Sequence, residues 1–311
     1  MKIDPVGTNP GPGGSKPSAW NLGPVIEALR VSREATHNIR HQGRVRDLPS
    51  REALAQIVEG LAAALFPTHY GRANLNDESI DYFVGDTLGT TLDRLVEQVR
   101  RGLLFSSAPQ GGDEHALQEQ AYALTRDFAT SLPGIRALLV SDVQAALAGD
   151  PAASSMAEIM LCYPGTSAIL YYRLAHRLHQ LGVPFLARLV SDIGHSLTGI
   201  DIHPAAQIGG SFFIDHGTGV VIGETAISGQ RVRLYQAVTL GARRFPQDGN
   251  GALVKGLARH PIVEDDVVIY AGATILGRIT IGAGSTVGGN VWLTESVAPG
   301  SSVNQAQMRS E

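Results

Sequence analysis

A single cysteine, Cys162, stands among 311 residues, so no internal disulfide can form. That fits a reducing compartment, and the location expected from it is cytoplasmic. No run of about 18 apolar residues occurs, so no membrane span is expected. The N-terminus lacks a charged start followed by an apolar stretch, so no secretory signal is read. Basic charge is not in excess: 25 Lys and Arg stand against 29 Asp and Glu, a net charge of −4 without long runs. A nucleic-acid partner, which calls for a basic stripe, is therefore not expected. Cys162 lies far from every motif described below and reads as a small buried hydrophobe.

Glycine is plentiful, at 36 residues, and its distribution divides the chain. Residues 1–20 are rich in Pro, Gly and Ser; such a stretch cannot offset its ordering entropy and reads as a disordered tail. Residues 21–199 read as a helical domain. Ser50 is placed to cap a helix carrying Leu54, Ile57, Val58, Leu61 and Leu65, with Pro67 closing it. Leu88, Leu92, Leu95, Val96 and Val99 form a second stripe. Pro133 is expected at the first turn of a third helix carrying Ile135, Leu138, Leu139 and Val143, broken at Gly149-Asp150-Pro151. A fourth helix is expected over about 166–180. These stripes are packing surface that needs a partner element or subunit.

The texture changes after about residue 200. Val263, Ile269, Ile275, Ile281, Val287 and Leu293 recur every six residues, and Ile202, Ile208 and Ile214 keep the same step. Val221 and Ile227 continue it after a one-residue slip, and Arg233 breaks it where an aliphatic is due. A period of six fits neither a helix nor simple alternation. It fits a triangular solenoid, in which each hexad is one short flat strand and one corner, with the aliphatic turned inward. About eleven hexads are counted over 200–303, just under four coils. Periodicity does not set the hand of the coil. Arg243 to Leu257 carries no hexad and reads as a loop, 243–257, on one face. Residues 304–311 read as a short tail.

Two histidines lie where the pattern is disturbed. His216 follows Asp215, and His260 follows Arg259 just after the loop. A neutral imidazole can take a proton from an alcohol as the alcohol attacks a thioester, helped by a carboxylate that orients the ring. Asp201, fifteen residues before His216, is close to one coil away. An amino-acid acceptor would need carboxylates for its ammonium, such as Asp215, and a cation for its carboxylate, such as Arg259. These charges could equally be solvated or paired with each other. Backbone N–H groups at Thr239-Leu240-Gly241-Ala242 could hold an oxyanion.

In order, Gly199-Ile-Asp-Ile-His-Pro-Ala-Ala-Gln-Ile-Gly209, Asp215-His216-Gly-Thr-Gly219, Val221-Ile-Gly-Glu-Thr-Ala226, Ala237-Val-Thr-Leu-Gly241 and Arg259-His260-Pro261 resemble the serine O-acetyltransferases, a branch of the hexapeptide-repeat acyltransferases. The resemblance covers about residues 150–300, including Gly149-Asp150-Pro151-Ala152. It implies helices followed by a left-handed parallel β-helix, a homotrimer, and N-terminal helices that often join two trimers. It implies His216 as general base and Asp201 as its orienting partner. Asp150 and Asp215 would hold the ammonium of L-serine, Arg259 its carboxylate, and His260 would line the acceptor pocket. Acetyl-CoA, a co-substrate rather than a bound cofactor, would lie between neighbouring subunits against Gly241, Ala242, Ala271 and Gly289. O-acetylserine would feed cysteine synthesis, with feedback by cysteine common in the family.

Three departures stand out. The loop is longer than in the best-known members, and Ala242 stands where they have a second glycine. The terminal isoleucine that docks many members onto O-acetylserine sulfhydrylase is absent, so that complex is not expected by the usual route. Competing readings are another acceptor (homoserine or a sugar hydroxyl), a non-catalytic scaffold, and a zinc-binding γ-type carbonic anhydrase. The last needs three converging imidazoles, and His195, His203, His216 and His260 lack the spacing. No metal is expected.

Overall fold

The computed structural model describes residues 20, 22–36, 40–41, 44–45, 47–106 and 113–305. The expected tails lie largely outside the described residues: residues 1–19 and 306–311, the latter with the docking terminus. The described residues up to Val45, α1 (Leu22–Thr36) and the antiparallel pair β1 (Arg40–His41) and β2 (Arg44–Val45), belong to a small unit. No described helix is long and apolar enough to cross a membrane.

The larger unit begins with helices. In α2 (Arg51–Leu65) the Ser50 hydroxyl accepts the Ala53 N–H at 3.2 Å, and Leu54, Ile57, Val58, Leu61 and Leu65 are buried, as the spacing predicts. The helix ends at Leu65, ahead of Pro67 as expected, and Pro67 itself opens α3 (Pro67–Tyr70). Then come α4 (Ile80–Ser106), α5 (Glu114–Gly149), α6 (Met156–Cys162), α7 (Pro164–Gln180) and α8 (Pro184–Thr198).

Two expectations are corrected here. Pro133 lies inside α5, not at a first turn. Its ring costs one hydrogen bond, but the buried row Leu117, Ala121, Phe128, Leu132, Ile135, Leu139 and Val143 runs through it, and that packing outweighs the local break. Cys162 is exposed, not buried. The seven-residue α6 turns Ile159 and Met160 inward, and Cys162 ends the helix off that side.

The helices and the repeats share one continuous hydrophobic core. Polar groups pin the joint. Arg173 grips both oxygens of Asp142 at 2.6 and 2.8 Å and donates to the Gly209 carbonyl, and Asp142 accepts the Phe212 N–H. The Tyr172 hydroxyl donates to the Ala206 carbonyl and accepts from Ile208 N–H. Ser191 donates to the Ile202 carbonyl. Helices α7 and α8 thus cover the first coil, whose open end would otherwise expose its core.

Fourteen short strands follow, all parallel, in three sheets. The first face carries β3 (Asp201–Ile202), β6 (Val221–Ile222), β9 (Thr239–Gly241), β12 (Thr274–Leu276) and β15 (Trp292–Leu293). The second carries β4 (Gln207–Ile208), β7 (Ile227–Ser228), β10 (Ile262–Val263) and β13 (Thr280–Ile281). The third carries β5 (Phe213–Ile214), β8 (Arg233–Leu234), β11 (Val268–Ile269), β14 (Thr286–Val287) and β16 (Ser302–Val303). Successive strands visit the faces in turn, which makes a triangular β-helix of nearly five levels rather than just under four.

From Val263 to Leu293 the interior positions are those the period marks, each nearly or fully buried. Between Ile214 and the loop the register differs from expectation. Val221 is 38% exposed and Ile227 half-buried, while Ile222, Ser228, Leu234 and Leu240 point inward. The slip is two residues, all of it between Ile214 and Ile222. Arg233 is therefore no break in the pattern but an outward position beside buried Leu234.

Candidate active site

The two surplus residues fall in the corner that carries His216. There the backbone enters the left-handed region, with φ of 58° at His216, 86° at Gly217 and 79° at Gly219. A Cβ on Gly217 would strike Ile200, so glycine is required by space as well as by angle. The corner throws the His216 ring outward, 71% exposed, while Asp215 beside it stays buried.

Three carboxyl groups approach this corner. Asp215 places Oδ1 3.9 Å from His216 Nε2. Asp150 caps the end of α5 and accepts from the Tyr163 hydroxyl and the Ala152 N–H. The Tyr163 hydrogen bond holds the Asp150 carboxyl below the usual range, with the Ala152 N–H and the Arg233 guanidinium adding to it. The same bond pushes the Tyr163 phenol up to about 12. Asp201 is on β3, in the adjoining stretch: Gly219 N–H donates to Gly199 O and Asp201 N–H to Val220 O. Among the described residues no hydrogen bond joins the Asp201 carboxylate to His216.

Arg259 and His260 sit elsewhere. They return from the loop onto the edge between the first and second faces, beside Glu224 and Thr225. Arg259 donates to Glu224 at 2.7 Å, and its N–H to the Thr225 hydroxyl. His260 is buried, and its Nδ1 accepts the Thr225 N–H at 3.1 Å. A backbone N–H can only donate, so the neutral ring carries its proton on Nε2. Burial, with Arg259 beside it, pulls His260 down to about 4, and burial does the same to nearby His203. Both rings are neutral at pH 7.

The candidate residues therefore form two groups. Asp150, Asp215 and His216 share the edge between the third and first faces; Ala271 and Gly289 stack further along it, with Ala271 O 3.2 Å from a Cβ built on Gly289. Gly241 and Ala242 open the loop on the other edge, with Arg259 and His260. The strands of the first face and their corners separate the two edges by about 20 Å, taking six residues at 3.3 Å each. The loop itself is folded: Gln247 pairs with Leu253, and Asp248 accepts from Asn250 and Ala252. Tyr163, Glu224 and Arg233 were not picked out as site residues from the sequence.

Residues 260–295 match the bacterial transferase hexapeptide family (six repeats). The chain is 57% identical over 299 residues to the plasmid serine acetyltransferase of Synechococcus elongatus, covering 94% of this chain and 93% of that one. It belongs to the serine acetyltransferases. Solved structures agree along most of the chain. Serine acetyltransferase isoform 3 of Entamoeba histolytica, in complex with cysteine, matches at 33% identity and a TM-score of 0.67, over 90% of this chain and 91% of that one. Native serine acetyltransferase 1 of the same organism matches at 32% and 0.69, over 90% and 97%. The helical domain followed by a parallel β-helix of hexapeptide repeats is thus this family's fold. Among the described residues no three His, Cys, Asp or Glu side chains are grouped to hold a metal.

Proposed function

We propose that this serine acetyltransferase moves acetyl from acetyl-CoA to the hydroxyl of L-serine in a site built by two protomers. The observation that carries it is the division of the acceptor-binding groups between two edges of one prism. One serine cannot reach across about 20 Å. In a cyclic trimer with the first face turned to the axis, each edge of one protomer meets the opposite edge of the next. Asp150 and Asp215 of one copy then hold the ammonium, and Arg259 and His260 Nε2–H of its neighbour take the carboxylate. Acetyl-CoA fits the same seam, between Ala271 and Gly289 on one side and Gly241 and Ala242 on the other.

In this reading His216 removes the serine hydroxyl proton as the oxygen attacks the thioester carbon. Asp201 and Asp215 are the carboxylates available to steady the imidazolium. The tetrahedral oxyanion draws on backbone N–H donors at Gly241–Ala242. Its collapse breaks the C–S bond, and the imidazolium returns the proton to the CoA thiolate. No acyl-enzyme forms. The product, O-acetylserine, belongs to cysteine synthesis, and a cytoplasmic location suits it.

Thiol release from acetyl-CoA, with L-serine, L-homoserine and a galactoside in parallel, tests the acceptor. Preference for L-serine is expected; preference for another acceptor would mean that the long loop has remade the pocket. Mixed assembly tests the seam. His216→Ala and Arg259→Ala are each expected to be inactive alone. Co-expressed in equal amounts, they should regain about a quarter of wild-type activity, since random cyclic trimers rebuild that share of intact sites. No recovery would place each site inside one chain.

A further inference from the structure

Arg233 projects from β8 toward the His216 corner, and nothing so far has used it. Its guanidinium lies between two rings, 5.1 Å from the Phe213 centroid and 4.7 Å from that of Tyr235. Tyr235 is itself stacked on Tyr270 at 5.0 Å, so the clamp has a backing. From it Arg233 donates to Asp215 Oδ2 at 3.2 Å. Its Nε is buried, with no hydrogen-bond partner among the described residues. A partly buried guanidinium held between rings, with its Nε unpaired among the described residues, carries a desolvation cost that its ion pair offsets. The pair divides the Asp215 oxygens: Oδ2 goes to Arg233, and Oδ1 is left 3.9 Å from His216 Nε2.

We propose that Arg233 is a positioning residue for this reaction: it fixes Asp215 and offsets its charge beside His216 before the acceptor arrives. The proposal rests on His216 acting as the base. Among the described residues, Asp215 and Asp150 face His216, Tyr163 bonds Asp150, Arg233 bonds Asp215 with Tyr235 beside it, Asp201 lies on the adjoining strand β3, and Glu158 of α6 lies beside Asp150. Arg233 is the one fixed cation named among them. A serine ammonium, once bound, adds a second cation in the same place, so Arg233 matters most before the acceptor arrives.

The test is the pH dependence of kcat/KM and of kcat for L-serine in the full-length protein, for wild type, Arg233→Met and Arg233→Lys, with assembly checked by size exclusion and circular dichroism. In Arg233→Met the acidic limb of kcat/KM should move up by about 1 pH unit, as an uncompensated neighbouring carboxylate does. The kcat limb should move less, because the bound ammonium replaces the lost charge. Activity should return toward wild type above pH 8.5, and Arg233→Lys should keep the limb near its original place. An unmoved limb, or a loss equal at every pH, would overturn the proposal. If Arg233→Met fails to assemble, a limb displaced upward in Arg233→Lys as far as about 1 unit would also count against it, since charge alone would not suffice. A wild-type profile with no acidic limb, or an active His216→Ala, would instead sink the base assignment underneath.

Discussion

The two working edges of the prism are made differently. The His216 edge borrows from the helical region: Asp150 comes from the end of α5, Tyr163 from the start of α7, and the first coil is pinned to both through Arg173 and Asp142. Its two carboxylates are tied, Asp150 to Tyr163 and Asp215 to Arg233. On the His260 edge, among the described residues, Arg259 and His260 are held by Glu224 and Thr225 of the repeats rather than by a helix. His260 is buried and His203 half-buried, and burial pulls both rings down to about 4. In the proposed reaction one edge handles a proton and an ammonium, where charge is needed. The other offers directional N–H donors, for which a ring that stays neutral is better suited. A repeat fold supplies identical corners, and the differences come from what is brought to each corner.

The largest expected effect falls on the charged edge. His216→Ala should lower turnover by about 10²–10⁴ with the fold intact. Near-normal kcat in a correctly assembled variant would remove the base from this edge and erase the contrast.

Next comes the helical contribution. Asp142→Ala leaves Arg173 buried without its partner and should destabilise the protein by about 3–5 kcal/mol in denaturant unfolding. Under conditions where it stays folded, its KM for serine should rise, since α5 positions Asp150. Unchanged KM together with unchanged stability would show that the clamp does not support this edge.

The smallest effect concerns the dry edge. An unfolded chain takes up protons on histidine near 6.5, whereas folded His260 and His203 do so only near 4. The folded state binds fewer protons in between, so stability is full above pH 6.5 and declines as pH falls toward 4. His260→Gln should flatten part of that decline in thermal melts across this window. An equally steep decline in the variant would assign the acid sensitivity elsewhere.

Much of this was readable in the residues, and the exceptions have physical reasons. The six-residue period marked the interior from Val263 to Leu293 because no residue is inserted there, so the aliphatics keep an unbroken step of six. It failed at Val220-Val221-Ile222, where three aliphatics compete for one inward position, and at Ser228, a polar residue that is buried. Pattern alone cannot choose among them; closure of the coil does. Pro133 was misplaced because a proline signals a first turn only when no longer buried stripe runs across it. The candidate site residues came from their motifs, but their division between two edges did not, since that depends on the true register. Arg233 was noticed only as a break in the repeat. With Leu234 inward, the same residue becomes the outward neighbour of Asp215, and the missed signal was a charge beside a correctly phased aliphatic.

The surplus between Ile214 and Ile222 has a wider consequence. A solenoid is a screw whose threads are interchangeable, and nothing in its pitch tells one thread from another. Two extra residues act as an index mark on that screw, fixing which thread meets Asp150 and, in the proposed trimer, where the neighbouring copy's Arg259 must arrive. Assembly and chemistry are aligned by the same small irregularity, so a change in its length would put both out of phase together.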